Sequence, residues 1–119
     1  MQNVILSHDS VTPLSQDANN ATNTITLNAV AGQKYGLNKL SVNVSGVAAT
    51  AAITVTVTDN ATVIYKGGLA GELGSTLNED WLIALMQSTR GNAMTIVASA
   101  SGAAGSIVTL NIQYLMSSE

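Results

Sequence analysis

The 119-residue chain is predicted to be all-β: an antiparallel, jelly-roll-like β-sandwich of six to eight strands with an extended N-terminal arm. Three observations predict this. From Thr22 onward most of the sequence alternates apolar and polar residues with period two, the repeat that turns one face of a strand inward and the other to solvent. Turn residues interrupt these runs at short intervals, as they do in sandwiches and barrels. The apolar residues are small or β-branched, with aromatics at 3% and no phenylalanine, which suits the thin core between two close-packed sheets.

Residues 1–20 read as the arm and residues 21–119 as the sandwich domain. The arm holds the only proline, Pro13, and the only histidine, His8. Pro13 biases Thr12 towards an extended backbone, and the apolar patches Val4-Ile5-Leu6 and Val11 with Leu14 interrupt an otherwise polar segment. In the body, Ile25, Leu27 and Ala29 share one strand face. Gly32 and Gly36 punctuate the connection to the alternating run 40–45. The clearest strand is 52–58, with Ile53, Val55 and Val57 inward and threonines outward. Asp59-Asn60 makes a tight turn, and Thr62-Val63-Ile64-Tyr65-Lys66 returns as its hairpin partner, stopping at Gly67-Gly68.

Between Gly71 and Asn92 the alternation breaks. Thr76-Leu77-Asn78-Glu79 has the spacing of a helix capping box, and Trp81-Leu82-Ile83-Ala84-Leu85-Met86 follows it. A short two-turn helix and a buried strand are both open for this run, since periodicity does not separate them over so few residues. Residues 93–100 read as a strand, Gly102-Ala103-Ala104-Gly105 as a flexible hairpin loop, and 106–116 as a long closing strand. In that strand Val108, Leu110, Ile112 and Tyr114 oppose Ile107, Thr109, Asn111 and Gln113.

Charged residues are 9% of the chain, against roughly 25% in an ordinary soluble domain. Its polar faces are therefore built from Thr, Asn and Ser, a surface that suits packing into a larger assembly. A net charge of −3 with only Lys34, Lys39, Lys66 and Arg90 as cations argues against nucleic acid, which requires clustered positive charge. The first residues lack a basic n-region and a sustained apolar stretch, so no signal peptide is expected. No apolar run approaches the ~20 residues of a membrane helix, and no membrane partner is expected. Without cysteine there is neither a disulfide nor a thiolate chemistry.

Catalysis has little material here. His8 stands alone, with no second ligand or nucleophile beside it. Glu72, Glu79 and Asp80 are the only acidic concentration, and they lack the spacing of a calcium loop. Gly67, Gly68, Gly71 and Gly74 lack the Gly-Lys-Ser/Thr of a phosphate cradle. Neither an enzyme nor a cofactor or metal site is expected. Trp81 can serve as a core residue, an interface anchor or a sugar-stacking platform. The strands carry almost no protective charge, so their edges must be covered by the arm or paired with other subunits.

Five segments carry a resemblance: Lys34-Tyr35-Gly36-Leu37, Thr54-Val55-Thr56-Val57-Thr58-Asp59, Thr62-Val63-Ile64-Tyr65, Arg90-Gly91-Asn92-Ala93-Met94-Thr95, and Ser101-Gly102-Ala103-Ala104-Gly105 leading to Tyr114. Over roughly residues 34–115 the chain resembles small β-sandwich virion structural proteins of tailed bacteriophages, of the capsid decoration or cement type. The segment 71–85 departs from that pattern. The resemblance implies a protein made in the host bacterial cytoplasm and located on the capsid surface of the virion. Its implied partner is the major capsid protein, and a homo-oligomer is expected, a trimer favoured over a dimer because shells present local three-fold sites. Val4, Ile5, Leu6, Val11, Leu14 and Trp81 are the candidate interface residues, and a body lacking residues 1–16 is expected to fold without binding the shell. The alternatives are a neck, tail or fibre component and a carbohydrate- or receptor-binding module.

Overall fold

The computed structural model describes residues 11–81 and 86–118. Among them there is no helix, and nine strands form two antiparallel sheets. In chain order these are β1 (Thr12–Asn19), β2 (Asn23–Leu27), β3 (Lys34–Gly46), β4 (Ile53–Asp59), β5 (Thr62–Leu69), β6 (Thr76–Asp80), β7 (Met86–Gln87), β8 (Met94–Ala98) and β9 (Ser106–Ser117).

The pairing is nested. β1 pairs with β9, β2 with β8, β3 with β6 and β7, and β4 with β5. β6 and β7 lie along successive parts of β3, at Lys39–Asn43 and at Gly36-Leu37, so they occupy the place of one interrupted strand. Counted that way there are eight strands, folded as one long hairpin whose arms wrap into two sheets. The cross-pairs β3 with β9 and β4 with β8 then complete sheet orders β1-β9-β3-β6 and β2-β8-β4-β5. This is the jelly roll, a double-sheet architecture built of two Greek keys.

The core follows from the alternation. Val42, Val44, Val108, Leu110 and Ile112 from one sheet meet Ile25, Ile53, Val55, Val57, Met94 and Ile96 from the other, and all are buried. Deeply buried β-branched and leucine side chains contribute about 1.5–3 kcal/mol each to holding such sheets face to face.

Several expectations are corrected. The capping-box segment is strand β6. Its residues alternate, with Leu77 and Glu79 half-buried and Thr76, Asn78 and Asp80 exposed, and β3 offers an unfilled edge that extended backbone satisfies. Residues 82–85 lie outside the described residues. The 102–105 loop is not a hairpin: β8 and β9 belong to different sheets, so the loop crosses the sandwich. β5 runs through Gly67-Gly68 to Leu69, with Gly67 opposite Val55 and Gly68 opposite Thr54. The first body strand ends at Leu27, leaving Ala29 exposed.

Candidate functional site

A jelly roll has two lateral seams where the sheets' outer strands meet, two ends where loops gather, and two outer faces.

At the β1/β2 seam, Asn23 is fully buried. Its side-chain amide donates to the carbonyls of Gln16 and Val108 at 2.8 and 2.9 Å. Gln16 Nε2 donates in return to Asn23 Oδ1 and to the Thr24 carbonyl, both at 2.8 Å. A buried amide is tolerated because its donors and acceptor are matched, and the network ties the sheets together.

The opposite seam joins β5 to β6 through Tyr65. Tyr65 faces inward opposite Val57, and its hydroxyl donates to Glu79 Oε2 at 2.8 Å. A Cβ on Gly67 would sit 2.3 Å from that hydroxyl, so glycine is what lets the ring lie along the strand. Burial pushes the Tyr65 hydroxyl up to about 12, and the bond to Glu79 and its charge add to the effect. Trp81 packs edge-on against Tyr65, with ring centroids 5.4 Å apart and planes at 81°. Its backbone N–H donates to the Asn38 carbonyl at the bulge in β3.

At one end, Asp59 closes the β4–β5 turn, where Asn60 takes φ 54°. Burial would raise the Asp59 carboxyl. The Thr89 hydroxyl at 2.6 Å, the Asn92 amide at 2.8 Å and the Thr89 N–H at 3.0 Å outweigh that and hold it below the ordinary range. The other end is made of small-residue loops. Gly46 has φ 81°, and a Cβ there would lie 2.2 Å from the Gly105 carbonyl oxygen. These loops present Val47 and Leu73, 46% and 57% exposed. Hydrogen bonds from Val47 N to Gly105 O and from Gly74 N to Val44 O hold their backbones.

The candidate interface residues do not converge. Val4, Ile5 and Leu6 lie outside the described residues, as does His8. Val11 is half-buried just before β1, and Leu14 stands on β1 at 39% exposure. Trp81 lies at the far edge of the same sheet, with β9 and β3 between. Leu73, Val47, Val63, Val30 and Met116 are exposed apolar residues that sequence patterning did not single out. Leu73 had a usable signal, an apolar residue between Gly71 and Gly74, and Val47 directly follows the turn-forming Gly46. Among the described residues no three His, Cys, Asp or Glu side chains gather to hold a metal, and no helix is long and apolar enough to cross a membrane.

No protein-family model matches the chain, and no curated protein matches it. Solved structures that it matches include a chain of tomato aspermy virus, at 8% identity and TM-score 0.41, covering 95% of this chain and 81% of that one. The tobacco streak virus coat protein matches at 10% identity and TM-score 0.41, over 95% and 89%. A virus-like particle chain of the extra small virus of the giant freshwater prawn Macrobrachium rosenbergii matches at 13% and 0.35, over 95% and 83%. Likeness at this level carries no inference about role, which rests on the surfaces described above.

Proposed function

We propose that this chain is a virion structural protein of a tailed bacteriophage, a capsid decoration or cement protein that binds the outer shell and bridges its subunits. The observation that carries the proposal is the contrast between sealed seams and unguarded outer strands. Inside, side-chain hydrogen bonds close both seams of the sandwich. Outside, β1 is exposed along almost its whole length, with Pro13 and Asp17 as its only deterrents to pairing. β5 has Lys66 alone. Solitary soluble domains guard such edges more heavily, so strands this bare suit a protein whose edges are covered in an assembly. Jelly rolls also serve as viral capsid domains, although lectins and cupins share the architecture.

In this reading the N-terminal segment and Leu14 engage the major capsid protein, and Leu73, Val47 and Trp81 contact further copies of this chain in a closed, trimeric ring. The protein acts by adhesion and carries out no reaction. A neck or tail component would use the same chemistry at lower copy number.

The arm test must respect β1. Gln16 pairs with Leu110 and bonds the buried Asn23, so deleting residues 1–16 would unseal a seam. Deleting residues 1–10 leaves every described strand intact. The truncated protein is expected to keep its unfolding midpoint and to lose co-sedimentation with purified shells. Undiminished co-sedimentation would remove the arm from the interface.

A further inference from the structure

One sheet ends in β1 and β6 and the other in β2 and β5, and these edges differ in what covers them. The Thr24 carbonyl of β2 is capped by the Gln16 amide. β6 is five residues long and carries Glu79 and Asp80. β1 and β5 are each eight residues long and carry one ion apiece, Asp17 and Lys66.

Hydrogen-bond phase shows which peptide groups of the two long edges point outward. The Asn20 N–H donates to the Ser106 carbonyl, and the Val44 N–H to the Ser75 carbonyl. Residues of an inner antiparallel strand bond alternately to one neighbour and the other. Leu14, Gln16 and Ala18 therefore bond β9, while Pro13, Ser15 and Asp17 face away from it. On the other sheet the Ser99 N–H donates to the Thr54 carbonyl, which turns Thr54 and, by alternation, Thr56 towards β8. Their partners on β5, Gly68 and Lys66, also face away. The outward peptide groups of Ser15, Asp17, Lys66 and Gly68 have no partner among the described residues. An open edge of this kind accepts a further strand.

We propose that β1 of one copy pairs antiparallel with β5 of a second copy, with Asp17 opposite Lys66 and Ser15 opposite Gly68. This rests on the assembly reading above and names the edges that meet. One register satisfies phase, face and charge together. Both pairs set outward residue against outward residue, as a hydrogen-bonded pair requires. Asp17 opposes Thr109 and Lys66 opposes Thr56, so both charged side chains stand on the outer faces of their sheets. Opposed residues in a joined sheet share a face, which brings the two charges together. Asp17 accepts from the Thr109 hydroxyl through Oδ1 at 2.7 Å, leaving Oδ2 for the Lys66 ammonium. A second copy is the fitting occupant because the complementary charge and phase are both carried by this chain. β1 and β5 lie on opposite flanks, so each copy offers one edge to each neighbour, the head-to-tail contact from which rings are built.

The test is sedimentation equilibrium of the full-length protein and its charge-reversed forms. The native chain is expected to self-associate. Asp17→Lys and Lys66→Asp should each weaken association at least about tenfold, because each sets like charges face to face. Asp17→Lys/Lys66→Asp should restore it. Ser15→Pro should also weaken association, since it removes one outward N–H and no bond to β9. Thermal unfolding checks that every variant folds. A native chain that stays monomeric, association indifferent to both reversals, or a double variant no tighter than the single ones would each overturn the pairing. A chain monomeric when purified but stoichiometric in virions would overturn the pairing alone and leave the virion role standing.

Discussion

Asn23 and Tyr65 do the same task at opposite seams, one with an amide and the other with a phenol. Asn23 is fully buried and makes bonds through both ends of its amide. Asn23→Ala should therefore cost about 2–3 kcal/mol, because it strands the buried Val108 carbonyl. Urea unfolding would read this as a lower midpoint at unchanged slope. Tyr65→Phe should cost about 1 kcal/mol near neutral pH, and its clearer signature is alkaline. The folded hydroxyl titrates near 12, above the ordinary 10 of the unfolded chain. Its contribution is fully present below pH 10 and is lost as pH rises towards 12. Wild type should thus lose more stability between pH 9.5 and 11.5 than Tyr65→Phe does, measured by thermal unfolding at each pH. Equal losses would show that the Tyr65 hydroxyl does not titrate abnormally.

At the scale of elements, the same two residues explain what the sequence left hidden. The β4–β5 hairpin was legible, because its threonines and valines alternate cleanly and Asp59-Asn60 supplies turn chemistry. β6 was not, because its inward positions are Leu77 and Glu79. A glutamate facing inward breaks the binary pattern, and Thr76 with Glu79 imitates a helix cap. The carboxylate is accommodated there only because Tyr65, 14 residues away, meets it. The start of β2 is disguised in the same way by an inward asparagine. The loop at 102–105 misled for another reason, since glycines that turn a hairpin also turn a crossing between sheets. Which one occurs depends on β9 pairing with β1 and β3, contacts distant in sequence. The pairing of Ser15 with Asn111 is equally non-local, since only the β1–β9 register brings them together.

The whole molecule is a jelly roll closed within and thinly defended without. That contrast gives its surface a purpose if many copies tile a larger particle, and little purpose in a free monomer. Nesting of β1–β9 around β2–β8, β3–β6 and β4–β5 also places the start of β1 beside the end of β9. Thr12 opposes Tyr114, so β1 begins at an outer edge of the sheet. The measurement that bears most directly on this account is quantitative mass spectrometry of purified virions, scoring this chain against the most abundant shell protein. A decoration or cement protein should be present at one copy per shell subunit or a simple fraction of that. A handful of copies per particle, or none, would contradict it.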